Sequence, residues 1–219
     1  ALAARRKAEA QEAGRRFGVQ YEVLDIPDGE LLPTLENRLK VIRLIREWKA
    51  DLVLAHRPND YHPDHRYTGI LVQDAAYLVI VPNILPEVPP MPNNPVFMYT
   101  RDGFQRPNPF RPDVAVDISA VFPQKLNGID AHTSQVYEWL PWTRHDTTVP
   151  TDPQQRKQWL GTVYAGRSRV TPEVKTSLEK WYGPERAARV THAEAFELCE
   201  YGRNPSEEEL RRLFPMLGK

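Results

Sequence analysis

The sequence predicts an α/β fold, with a mostly parallel sheet and crossover helices on its faces. Two observations predict it. Short β-type runs at 19–26, 51–56, 96–100 and 114–118 are interleaved with helical patterns at 1–17, 35–48 and about 65–79. Strands that alternate with helices in this rhythm build parallel βαβ units. The helical patterns also carry apolar residues at three- and four-residue spacing, so each offers one face to a core. At 219 residues the chain fits one domain. The expected layout is a single domain over 1–219, with 141–219 as a helical and loop C-terminal extension.

The first helix, over 1–17, is rich in Ala, Arg and Glu, with Leu2, Ala10, Ala13 and Phe17 as a loose stripe and Gly18 as its C-cap. Val19 to Ile26 alternates like a strand. In Pro27-Asp28-Gly29, Pro fixes φ and Asp bonds the local backbone, so a turn follows. Thr34 is placed to cap the second helix, whose expected inner face is Leu35, Leu39, Ile42, Leu44, Ile45 and Trp48. The run Asp51 to His56 reads as a buried strand. The next helix turns Ile70, Leu71, Ala75, Leu78 and Val79 inward.

Residues 82–95 hold six prolines, which no regular helix or central strand tolerates. Strands are expected at 96–100 and 114–118. Ser119 is placed to cap a helix over about 121–140. Beyond Pro141 the pattern predicts helices at 153–165, 172–182 and 206–214, the last two begun by Thr171-Pro172-Glu173 and Asn204-Pro205-Ser206. Cys199 reads as a small buried residue within a helix.

Composition excludes several classes of function. Lys plus Arg equals Asp plus Glu at 29 each, so no net charge draws the chain to nucleic acid or an anionic membrane. One cysteine permits neither an intramolecular disulfide nor a thiolate metal cage. No apolar run approaches the ~20 residues of a membrane span, and no apolar signal segment is seen. A cytoplasmic location is the expectation, with a homo-oligomer left open. The chain starts at Ala1 in mid-helix and without Met, so a segment upstream is expected.

The chemistry concentrates in Asp60-Tyr61-His62-Pro63-Asp64-His65, at the carboxyl end of a predicted strand, where open α/β sheets place their ligands. His62 and His65 are three apart, so a helix start puts both imidazoles on one side. Imidazole is a ligand for zinc and related metals. Asp64 and Asp60 offer carboxylates that hold imidazole tautomers, or serve simply as turn and N-cap residues. Two histidines are too few for a catalytic zinc, which takes three protein ligands. His56 at the strand end lines the site or is a satisfied buried histidine, whereas His145 and His192 read as surface residues.

The run Asp60-Tyr61-His62-Pro63-Asp64-His65 resembles the Asp-x-His-Pro-Asp-His signature of the LmbE-like, or PIG-L, family of zinc-dependent N-deacetylases. Arg6-Lys7-Ala8-Glu9 with Phe17-Gly18-Val19, Leu24 to Gly29, Asp117-Ile118-Ser119, Lys125 and His132-Thr133-Ser134-Gln135 resemble further blocks of that family in the same order. The likeness covers about residues 1–140. It implies a Rossmann-like three-layer sandwich and hydrolysis of an N-acetyl sugar substrate to acetate and an amine. It also implies bound Zn2+ or another divalent metal, with His65 as a ligand. His62 becomes the acid or oxyanion donor, Asp64 the residue that tunes it, and Arg6 a substrate contact. Asp60 and His132 stand behind them. The family's His-Pro-Asp-Asp motif, which supplies two ligands and the general base, is expected upstream of Ala1. The alternatives are a non-catalytic carbohydrate-binding or assembly protein with an incomplete metal site and, less favoured for want of a phosphate cradle, a metal phosphoesterase.

Overall fold

A computed structural model describes residues 1–218 of the chain. These form two compact units, one from 1–25, 117–170 and 190–193, the other from 26–116, 171–189 and 194 onward.

In the first unit, α1 (Leu2–Phe17) ends on Gly18, whose φ of 68° is the left-handed cap that glycine adopts without strain. Ala10 and Ala13 are buried as expected, but Leu2 and Phe17 are exposed. Residues 19–26 do not form the predicted strand. They pair with no described strand, and Val19, Tyr21, Val23 and Leu24 are exposed. Alternation makes a strand only where a ladder partner takes its N–H and C=O groups.

The helix expected over 121–140 is broken into a 3-10 turn at Ser119–Val121, α4 (Phe122–Asp130), a π-helical stretch at Ser134–Trp139 and α5 (Leu140–Thr143). Ser119 does not cap it, because its hydroxyl instead accepts the N–H groups of Thr191 and His192. The buried carboxylate of Glu9 causes the second break. It takes the Ser134 N–H at 3.1 Å and the hydroxyls of Ser134 and Thr133 at 2.6 and 2.7 Å, removing that N–H from an α ladder. Arg5 bridges Glu9 at 3.0 Å and Glu138 at 2.9 Å, tying α1 to both ends of the π turn. The helix α6 (Pro153–Ala165) is where the sequence puts it, and its Leu160 and Tyr164 pack with Val136 and Tyr137.

The second unit holds α2 (Leu35–Trp48), capped by Thr34 Oγ1 on the Asn37 N–H, then β1 (Leu52–Ala55) and α3 (Pro63–Leu78). The helix α2 buries Ile42, Ile45 and Arg46, while Leu35 and Trp48 at its two ends are exposed. Then follow β2 (Val96–Thr100), β3 (Val114–Asp117), α7 (Pro172–Tyr182), α8 (Pro184–Ala187), β4 (Ala193–Leu198) and α9 (Glu207–Leu213). One residue at an end of β3 and of β4 falls in the first unit.

The sheet order is β1-β2-β4-β3. The pair β1–β2 is parallel, with Leu52 opposite Val96, but β2–β4 is antiparallel, with Met98 opposite Leu198. The sheet is therefore mixed rather than mostly parallel. The missed strand, Ala193-Glu194-Ala195-Phe196-Glu197-Leu198, alternates, yet Ala and Glu are poor strand formers, which hid it. Cys199 lies just past β4 and not in a helix. It is buried, and its N–H donates to Phe97 O at 2.9 Å. Similarly, β1 is an edge strand of the described sheet and only partly buried.

The proline-rich segment is held by a side chain. The Arg46 guanidinium is 3% exposed and donates to the carbonyls of Leu78, Val79, Val81, Ile84, Leu85 and Val88 at 2.5–3.2 Å. Burial lowers its pKa from the ordinary value. Replacing Arg46 by Met leaves those buried carbonyls without donors, so the unfolding free energy in urea is expected to fall by at least about 3 kcal/mol. Amide exchange should quicken first in 79–88.

Glu9 gives the first unit an acid-sensitive joint. Burial pushes its carboxyl up, but the bonds from Ser134 and Thr133 and the Arg5 charge outweigh that and hold it below the ordinary 4.5. A depressed carboxyl contributes stability above its unfolded pKa and loses it as pH falls through the folded one. Glu9→Gln should therefore lower stability at pH 7 by about 1–3 kcal/mol. Thermal melts of variant and parent should converge as the pH falls through the depressed carboxyl pKa, below the ordinary 4.5.

Candidate active site

The site loop leaves β1 at Ala55 and enters α3 at Pro63. Strand and helix meet at backbone contact. A Cβ on Gly69 of α3 would lie 2.7 Å from His56 O and 3.1 Å from Arg57 C, so only glycine lets the helix close on the strand end. The Asp60 Oδ1 accepts the His62 N–H at 2.9 Å, a local turn, and lies 3.0 Å from His65 Nδ1. The Arg66 guanidinium donates to the carbonyls of Asp60 and Tyr61 at 2.8 and 3.0 Å, closing the loop from its other side.

These contacts give the two histidines opposite tautomers. A carboxylate only accepts, so His65 Nδ1 carries the proton and its Nε2 presents a bare lone pair. His62 is the N-cap of α3, and its Nδ1 accepts the Asp64 N–H at 3.2 Å, so its proton sits on Nε2. One imidazole is left as a ligand, the other as a donor. The rings lie 4.9 Å apart. Asp64 thus fixes His62 through its backbone, while its carboxylate takes the Gly29 N–H at 2.7 Å. The side chain facing the proton-bearing His62 Nε2 is Asp28, 3.9 Å away.

Among the described residues, two sets of side chains have metal-ligand chemistry, His56 with Asp60 and His65, and Asp28 with His62 and Asp64. The tautomers separate them. His62 offers no free lone pair, because Nδ1 is engaged and Nε2 is protonated. In the first set His65 Nε2 is free, and Asp60 orients it from behind. His56 is stacked on His65, with centroids 4.4 Å apart and planes within 9°. Imidazole lone pairs lie in the ring plane, so two stacked rings do not converge on one ion, and His56 acts as a wall. Burial, with the nearby His65, lowers the His56 pKa and keeps its ring neutral at pH 7. The loop therefore fits a divalent ion at one position, His65.

The mouth of the loop carries Tyr61, which stands edge-on to His62 and His65 and 6.5 Å from Phe104. Phe104 is fixed by Arg57, whose side chain is 5% exposed. Arg57 holds Asp102 through two bonds of 2.7 and 2.5 Å and donates to Phe104 O at 3.0 Å. Glu197 lies 3.7 Å from Arg57, and burial raises its pKa.

Of the residues singled out in the sequence, His62, Asp64, His65 and Asp60 come together here. Arg6, in α1, and His132 belong to the first unit. His132 sits where α4 gives way to the π turn, 6.3 Å from Tyr21, and burial lowers its pKa. Sequence reading missed Asp28 as a neighbour of His62, although its Pro-Asp-Gly turn was plain. Phe104 carried no signal, since its loop is brought to the strand end by long-range bonds from Arg57 and Asn59.

Residues 1–76 match the family model for PIG-L, described as GlcNAc-PI de-N-acetylase. A 4-oxalmesaconate hydratase of Pseudomonas putida is 25% identical over 140 residues, 64% of this chain and 54% of that protein. The chain thus spans about half the length of the curated relative it matches. Among solved structures, the N,N'-diacetylchitobiose deacetylase of Pyrococcus horikoshii is 23% identical with a TM-score of 0.63, over 94% of this chain and 68% of that one. The 4-carboxy-2-hydroxymuconate hydratase of Pseudomonas putida KT2440 is 19% identical with a TM-score of 0.65, over 93% and 74%. These likenesses show a shared α/β fold.

The close approach at Gly69 is open to test. Gly69→Ala forces α3 away from the strand end and is expected to destabilise the chain by about 1–3 kcal/mol. Thermal denaturation followed by circular dichroism measures it, and an unchanged melting temperature would mean that the contact is slack.

Proposed function

From the match of residues 1–76 to the PIG-L family model, we propose that the chain is a metal-dependent amide hydrolase of that family, which removes the acetyl group from an N-acetylglucosaminyl-type substrate. The observation that carries the reading is the opposed pair of tautomers: a lone pair at His65 Nε2 beside a proton at His62 Nε2.

His65 would hold the ion, zinc in this reading, with Asp60 fixing the imidazole from Nδ1. Such an ion supplies Lewis-acid polarisation of an amide carbonyl. The remaining ligands and the general base have to come from outside the loop. The His62 Nε2–H is placed to donate a hydrogen bond to the developing oxyanion. Protonation of the leaving nitrogen as the C–N bond breaks would need the imidazolium, formed when Nδ1 gives up the Asp64 N–H and takes a second proton. The Asp28 carboxylate, 3.9 Å from His62 Nε2, faces the proton there. Arg6 and His132, in the first unit, keep their proposed roles in substrate contact and support. A cytoplasmic site of action is also part of this proposal. No helix of the described residues is long and apolar enough to cross a membrane.

A second reading is hydration of a carbon–carbon double bond, favoured by the names of two relatives. Here His62 as the imidazolium would deliver a proton to one carbon while water adds its hydroxyl to the other. In the natural full-length protein, His65→Ala is expected to lose the bound metal by elemental analysis, and acetate release with it. His62→Ala should keep the metal and lose about 10²–10⁴ of the rate. Metal retained in His65→Ala would sink the ligand assignment. Hydration of an unsaturated dicarboxylate without acetate release from N-acetylglucosamine conjugates would favour the second reading. Full sugar binding with no turnover in the parent would favour a non-catalytic carbohydrate-binding role.

A further inference from the structure

We propose that Tyr61, backed by Phe104, is the specificity-determining wall of this site, and that it takes the flat face of an uncharged sugar ring rather than a carboxylate-bearing chain. This rests on the site reading above and names the substrate feature that the site would select.

Tyr61 is 73% exposed, and its ring stands nearly perpendicular to both working imidazoles, with centroids 5.9 Å from His62 and 5.7 Å from His65. An exposed aromatic side chain alone means little. This one is held from both ends of its backbone. The Asp60–His62 turn spans it, and Arg66 clamps the carbonyls of Asp60 and Tyr61. Its neighbour Phe104 belongs to a separate loop, anchored by its N–H on Asp102 and its carbonyl on Arg57. Two independently fixed backbones thus bring aromatic rings together beside the reacting groups. Such rings bind with little loss of conformational freedom, because few torsions are left to freeze.

The charge around the wall chooses the ligand. The carboxylates of Asp28, Asp60 and Asp64 lie on the loop or against it. Arg57 is committed to Asp102, and Arg66 to backbone carbonyls. A substrate with several carboxylates would meet like charge. A pyranose, with an apolar C–H face for the phenol ring and hydroxyls for the carboxylates, meets complementary groups.

The test uses the natural full-length protein loaded with zinc. Saturation-transfer NMR and acetate-release kinetics are recorded with the methyl glycoside of N-acetylglucosamine. Tyr61→Ala should weaken binding and raise KM about tenfold, with a much smaller change in kcat and unaltered metal content. Tyr61→Phe should restore both, because the face and not the hydroxyl is used. Unchanged binding and KM in Tyr61→Ala would overturn the proposal, as would equal binding of an unsaturated tricarboxylate to the parent. If the parent binds the glycoside through Tyr61 yet releases no acetate, the hydrolase reading fails while the wall stands.

Discussion

A single carboxylate oxygen, Asp60 Oδ1, sets the site. It takes the His62 N–H and the His65 Nδ1–H, so one atom fixes where the first histidine starts the helix and which nitrogen the second presents. Because Asp60 precedes α3 while His65 lies one turn inside it, the same contact ties the loop to the helix. The Asp64 N–H then completes the arrangement by engaging His62 at its N-cap. Two chemically identical side chains thereby acquire opposite proton positions from ordinary helix-start geometry.

Much of this was legible in the sequence. The elements α2, α3, α6 and α7 lie where the sequence puts them, and Thr34 and Thr171 each accept a first-turn N–H as their place before the pattern predicts. The loop announced itself by four ionisable residues at a strand end. What stayed hidden depends on partners distant in the chain. The 19–26 run had the alternation of a strand but no described neighbour to pair with. The β4 strand had a neighbour but the composition of a helix. The interruption after α4 has no local signal, since the group that takes the Ser134 N–H is Glu9, 125 positions earlier. In the site, the proton positions could not be read from spacing, and Asp64 was assigned to its carboxylate when its backbone N–H makes the contact with His62.

The two units share a habit. In each, a buried charged side chain organises a stretch of backbone that its own sequence leaves irregular. Glu9 does so for the π turn, Arg57 for the loop that brings Phe104 to the mouth, and Arg46 for the segment after α3. Charge-assisted bonds to main-chain groups are strong and directional, so each side chain acts as a scaffold where hydrogen-bonded secondary structure is absent.

The Arg46 scaffold has an evolutionary consequence. Its six contacts are all to carbonyl oxygens, which every residue type supplies, and none is to a side chain. The path of 79–88 is therefore set from α2 through main-chain groups, while Val79, Ile80, Ile84 and Leu85 also pack into the core. Its exposed positions can drift in sequence while the segment keeps its path, provided the arginine is retained. Relatives could vary this surface without redesigning the sheet beneath it.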